Sequence, residues 1–163
     1  MDNIYVKSLL DLLHILATIT WFGTLFVNFA LLRSTVQQTL QPAAAGPFVG
    51  LFIRKARMVV YVSLAVLFIT GIPMKIVSPY YVSIINFSND WQIAMFAKHV
   101  LVALLALLAI INFEIIGPRF QKAAKSGTPV EVEKYKRIQQ GAGMLSISMA
   151  FVILVISAVM NYL

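Results

Sequence analysis

The chain has 163 residues, of which 60% are hydrophobic and 12% charged, with a formal net charge of +7 at pH 7 and no cysteine. A mean hydropathy of +0.87 lies outside the range of soluble domains. The absence of cysteine excludes disulfides, thiolate metal sites, Cys-held iron–sulfur clusters and covalently attached haem. The positive charge does not indicate nucleic acid, because the basic residues crowd into two segments between apolar runs, where membrane orientation and anionic headgroups account for them.

Four apolar runs are long enough to cross a hydrocarbon core of roughly 30 Å. The sequence therefore predicts an all-α integral membrane four-helix bundle, a single transmembrane domain over 1–163 with helices at about 8–32, 58–77, 92–116 and 138–163. Its expected location is the cell membrane.

The first span lies between Lys7 and Arg33 and carries Asp11, His14, Trp21 and Asn28. It runs too far past its polar residues to be a cleavable signal peptide. The segment 33–57 reads as a loop: Pro42, Gly46 and Pro47 are breakers, Phe48–Ile53 suits a short interfacial helix, and Arg54, Lys55 and Arg57 form a basic cluster. In the second span, Gly71 and Pro73 predict a kinked or unwound last turn. Tyr80, Tyr81 and Trp91 mark an aromatic belt, the third span is expected to stop at Gly117-Pro118, and 119–137 reads as a polar loop. The fourth span spaces Ala142, Ser146 and Ala150 four residues apart, which lets helices approach closely in lipid.

The basic residues also set the orientation. Arg33, Arg54, Lys55 and Arg57 precede the second span, Arg119, Lys122, Lys125, Lys134, Lys136 and Arg137 precede the fourth, and the segment between the second and third spans has no Lys or Arg. The positive-inside rule then places both termini on the outer side.

Both histidines of the chain, His14 and His99, fall inside spans, where an ionisable group is costly and marks function by default. With about 1.5 Å of rise per residue, His14 sits roughly 10 Å beyond Lys7 and His99 roughly 12 Å beyond Trp91, both counted from the outer ends of helices running the same way. Two imidazoles at matched depth in a four-helix bundle suit axial ligation of one b-type haem near the outer face. The bland alternative is that each histidine is simply hydrogen-bonded within the bundle. Copper or zinc would want a third or fourth ligand, for which only Met74 and Met95 lie near the right level. Lys7, Lys75 and Lys98 are placed to meet haem propionates or merely to snorkel. Asp11, one turn before His14, is a candidate to orient the imidazole or to pair with a lysine. Trp21, two turns deeper on the His14 face, is a candidate floor for the haem pocket or a packing residue. Asn28, Asn112 and Glu114, with the nearby arginines, are a further polar cluster suited to a quinone headgroup or to ordinary ion pairing. No triad, phosphate loop, metalloprotease motif or carboxylate pair supports hydrolysis or phosphoryl transfer.

The stretch LLHILATITWFG, the segment FIRKARMVVY and the third helix AKHVLVALLALLAIINFEIIGPRF resemble CopD-type copper-resistance proteins and HemJ-type protoporphyrinogen oxidases over most of the first three helices. The HemJ resemblance implies a haem b protein with His14 as ligand and Lys98 as a functional lysine; the CopD resemblance implies copper handling. The combined expectation is a membrane cytochrome with one bis-His haem, held by His14 and His99. It would transfer electrons with a partner subunit, another redox protein, a second copy or a quinone; if an enzyme, it would be an oxidoreductase. The rivals are copper transport or resistance, protoporphyrinogen oxidation, and a structural subunit of a respiratory assembly.

Overall fold

A computed structural model describes residues 3–80, 83, 85 and 87–163, without the side chains of residues 33, 37, 42, 43 and 126. Tyr81 of the expected aromatic belt and the Arg33 side chain lie outside the described residues. Four helices, Ile4–Val36, Ala44–Ile76, Asp90–Lys125 and Pro129–Val159, are long and apolar enough to cross a membrane, and there is no strand among the described residues. Large apolar side chains stand exposed along all four, among them Ile19, Ile69, Leu107 and Phe151. In water that surface would be a liability, and in lipid it is the expected exterior. The chain's internal contacts divide it into two units, Met1–Ser83 and Ile84–Leu163.

In the first unit α1 spans Ile4–Phe26, starting where the Asn3 side chain accepts the Tyr5 backbone N–H. It passes through a six-residue π turn, Val27–Leu32, into α2, Arg33–Thr39. The chain then turns at Leu40-Gln41 and returns as α3, Pro42–Ile76, packed against α1. The buried residues, Ala17 and Trp21 on α1 and Ala56, Val60, Ser63, Leu64 and Thr70 on α3, fall at spacings close to whole helical turns, giving each helix one inward stripe.

The expected loop over 33–57 is therefore almost wholly helical. Gln41 is extended because it precedes a proline, and Pro42 restarts the helix at a position that needs no donor. Phe48–Ile53 belongs to α3 and is no separate interfacial helix. Pro47 removes one backbone bond near the start of a 35-residue helix, and Pro73 removes one near its end. Neither breaks it: the Val77 N–H still reaches the Pro73 carbonyl at 3.1 Å, so the expected unwinding of the last turn does not occur.

In the second unit α4 spans Asp90–Ile110, capped by Asn89, whose side chain accepts the Gln92 N–H at 2.8 Å. A second π turn, Ile111–Ile116, leads into α5, Gly117–Ser126, and after Gly127-Thr128 the chain returns as α6, Pro129–Val159. The third helix thus does not stop at Gly117-Pro118. The π turn hands the Gly117 N–H to the Asn112 carbonyl, Pro118 needs no donor, and a Cβ on residue 117 would lie 3.2 Å from that same carbonyl oxygen, a close approach that favours glycine. The polar segment 119–137 is likewise helical on both sides of its break, where Thr128 and Glu131 cap α6 reciprocally. α4 packs against α6. As the small-residue spacing predicts, Ser146 and Ala150 are buried, and the Ser146 hydroxyl is turned back to the Ala142 carbonyl at 2.8 Å.

The two units repeat one plan. Each has an apolar helix of just over twenty residues, a six-residue π turn reading Val-Asn-Phe or Ile-Asn-Phe at its start, a short helix, a two-residue break and a long return helix begun by proline.

Candidate functional site

His14 stands ten residues after Ile4, about 15 Å of rise into α1, and is half-buried. Its Nδ1 lies 2.8 Å from the Thr70 hydroxyl of α3. Thr70 is 2% exposed and its single hydroxyl proton is spent on the Val66 carbonyl at 2.7 Å, so its oxygen is left to accept. The bond then runs from His14 Nδ1–H to Thr70 Oγ1, and a neutral imidazole with its proton on Nδ1 carries its lone pair on Nε2. Gly71 makes the approach possible: a Cβ there would lie 3.2 Å from His14 Cε1 and 3.7 Å from Nδ1. On α1 itself the Thr18 hydroxyl bonds the His14 carbonyl at 2.8 Å.

His99 stands nine residues after Asp90, about 14 Å into α4, and is exposed along the helix. Its Nδ1 is 2.7 Å from the carbonyl of Met95, one turn earlier. A carbonyl only accepts, so Nδ1 again bears the proton, and in the neutral ring Nε2 carries the lone pair. The two histidines reach the same tautomer by different means, one through the return helix of its unit and one through its own helix.

The other sequence-derived candidates fall as follows. Trp21 is buried, and its indole N–H has no hydrogen-bond partner among the described residues; the side-chain oxygen of Asn112 in the second π turn is in the same position. Lys98 is half-buried in α4, and Lys75 is half-buried in the last turn of α3. Asp11 is exposed and does not orient His14; Thr70 does. Met74 is half-buried in α3 and Met95 is buried, the latter contributing a carbonyl to His99. Among the described residues no group of three or more His, Cys, Asp or Glu side chains is placed to hold a metal ion.

Sequence reasoning missed Thr70 and Gly71. A threonine in a span ordinarily returns its hydroxyl to its own helix, and Thr70 does so as well. Its second bond depends on the register of α3 against α1, which no local pattern announces. Comparison with family models, with characterised proteins and with solved structures gives no match.

Proposed function

We propose that this protein is a membrane b-type cytochrome that uses His14 and His99 as its iron ligands. The observation that carries the reading is that both in-span imidazoles meet an oxygen at Nδ1, the Thr70 hydroxyl at 2.8 Å and the Met95 carbonyl at 2.7 Å; in the neutral ring this puts the basic nitrogen at Nε2, the arrangement in which a hydrogen-bonded histidine binds a metal. Haem also fits the donor set. A compact copper or zinc ion would need three or four protein ligands, and no three His, Cys, Asp or Glu side chains among the described residues are placed together to supply them, whereas a porphyrin supplies four donors of its own and asks the protein for two.

Haem would supply one-electron transfer. The protein would bind it in an apolar setting, fix the two imidazoles and keep water from the iron. Lys75 in the last turn of α3 and Lys98 about two turns into α4, cations on long apolar stems, suit propionate groups. The basic residues around α2, α5 and the starts of α3 and α6 favour those ends in the cytoplasm, with both termini outside a cell membrane. A quinone or a second redox protein is the expected exchange partner.

The test is spectroscopic. The purified chain is expected to show sharp reduced α and Soret bands with about one haem by pyridine haemochrome, as two histidines allow, and His14→Ala or His99→Ala is expected to abolish haem retention. A colourless protein carrying copper would overturn the reading in favour of metal handling. Unaltered haem binding in both variants would remove the ligand assignment. The chain has no cysteine, so single cysteines at Ser88 and Lys125 test sidedness directly: Ser88→Cys is expected to label from outside and Lys125→Cys only after permeabilisation.

A further inference from the structure

Helix α3 is longer than a membrane passage requires. Its 35 residues rise about 52 Å against roughly 30 Å of hydrocarbon, and the run after Arg57, 58–76, supplies about 28 Å by itself. Residues 42–53 therefore stand beyond the basic cluster Arg54, Lys55 and Arg57, on the side away from the hydrocarbon. The repeat gives an independent reading of that position. In the second unit the matching start of the return helix, 129–140, carries Glu131, Glu133, Lys134, Lys136 and Arg137, a set that belongs in water or among headgroups. The same stretch of α3, 42–53, has no charged or hydrogen-bonding side chain.

This apolar stretch is open to its surroundings, with Phe48 49% and Leu51 47% exposed. Phe48 also forms one wall of a groove of about 260 Å³ whose other wall comes from the stretch between Val27 and Leu40. Thr35, Val36, Thr39 and Leu40 of that wall follow Arg33, and the Thr39 hydroxyl is turned back to the Thr35 carbonyl at 2.6 Å, which leaves the groove apolar. Lys55 is exposed seven residues after Phe48, two turns along the same face of α3. The sequence has no Asp or Glu between Asp11 and Asp90, so the first unit has no carboxylate beyond Asp11 to set against Arg33, Arg54, Lys55 and Arg57.

We propose that this end of the first unit docks an acidic amphipathic helix of a partner protein, one or two of its large apolar side chains entering the groove and its flanking carboxylates meeting Lys55 and the neighbouring cations. An apolar patch rimmed by charge on the water side of a membrane helix marks such a surface, and a helix laid in a groove is a common way to fill it. The groove is smaller than the roughly 300–1,000 Å³ of small-molecule pockets and suits single side chains. A phospholipid tail stays on the hydrocarbon side of its phosphate, so it does not reach the part of the groove beyond Arg33 and Arg54. A second copy would bring the same cations to the same face, where like charges repel. The proposal does not depend on the haem reading.

The experiment places p-benzoylphenylalanine at residue 48 of the full chain in its native host, with the same photoreactive residue at 68, exposed within the span, as the lipid-facing control. Irradiation is expected to give one dominant adduct to another protein, and the linked peptide, mapped by mass spectrometry, is expected to carry Asp or Glu flanking apolar residues at helical spacing. Lys55→Glu should lower that adduct at least about threefold and Thr39→Trp, which fills the groove, about tenfold. Lys55→Arg keeps the charge and should retain the adduct, and Lys134→Glu in the second unit should leave it unchanged. Yields are normalised to the amount of chain in the membrane, so loss of the adduct is distinguished from loss of the protein. Adducts to lipid, to a second copy or to residues 84–163 of the same chain, a linked peptide without carboxylates, a protein yield at 48 no higher than at 68, or an equal loss with Lys134→Glu would each overturn the proposal.

Discussion

Replacing Thr70 with valine tests the His14 geometry at constant volume. The substitution keeps the β-branched shape and deletes the oxygen that accepts the His14 Nδ1–H at 2.8 Å and donates to Val66 at 2.7 Å. The Val66 carbonyl loses only a side-chain bond. The imidazole loses the Thr70 oxygen, at a position where the threonine is 2% exposed. A buried N–H left without its acceptor costs about 1–3 kcal/mol. Moving the proton to Nε2 avoids that cost, and there the proton blocks ligation. Either route weakens haem binding through His14 by roughly 10–100-fold, the range typical when the partner of a metal-binding histidine is removed. The assay is the rate of haem transfer from the purified protein to an excess of an acceptor globin, with ¹⁵N-histidine NMR of the haem-free chain as an independent reading of the tautomer. Thr70→Ser keeps the oxygen and should restore both. Haem transfer within about twofold of the parent for Thr70→Val, with His14 still protonated on Nδ1, would refute the argument that Thr70 sets the tautomer.

Three further perturbations address the fold around that geometry. Gly71→Ala should weaken haem binding although glycine-to-alanine within a helix otherwise stabilises by about 0.5–1 kcal/mol, because the new Cβ meets His14 Cε1 at 3.2 Å; a more stable variant with unchanged haem transfer would contradict the contact. Ala150→Leu adds volume to the buried stripe of α6 and should cost about 1–3 kcal/mol of stability in detergent unfolding, whereas Met144→Leu at an exposed position should be close to neutral. Thr128→Ala removes one half of the α6 capping box, and hydrogen exchange at residues 129–132 should quicken in line with a loss of about 1 kcal/mol, with haem binding untouched.

The four spans were legible because nothing except lipid accommodates uninterrupted apolar runs of that length, and the two histidines because their burial in such runs is costly. The segments between spans were misread for a physical reason. Charge and proline signal a loop in a soluble chain, but a membrane helix that runs past the hydrocarbon core becomes polar without ceasing to be a helix. Arg54, Lys55 and Arg57 lie within α3, and Arg119, Lys122 and Lys125 within α5. The proline positions were also softer breakers than expected, since Pro42, Pro118 and Pro129 all sit in first turns where no donor is missed. The π turns carry no general sequence signature, and Thr70 depended on tertiary register.

The repeated plan explains why the two histidines find different partners. Measured back from the asparagine of each π turn, His14 is fourteen residues before Asn28, while His99 is thirteen before Asn112 and the residue at fourteen is Lys98. Measured forward from the proline that begins each return helix, Thr70 is twenty-eight residues after Pro42 and Ser157 is twenty-eight after Pro129. Ser157 repeats the Thr70 back-bond, its hydroxyl reaching the Ile153 carbonyl at 2.8 Å. Lys98 and Ser157 thus occupy the positions of His14 and Thr70, and His99 is displaced by one residue, about 100° around α4. That rotation accounts for Lys98 being half-buried and His99 exposed, and for His99 turning to the carbonyl of its own helix. If the iron is held from that exposed face, combining Lys98→His with His99→Lys moves an imidazole to the position matching His14 yet should lose haem as fully as His99→Ala. Retained haem with an unchanged reduced spectrum would show that the position matching His14 serves equally well, and that the one-residue offset of the second unit has no functional weight.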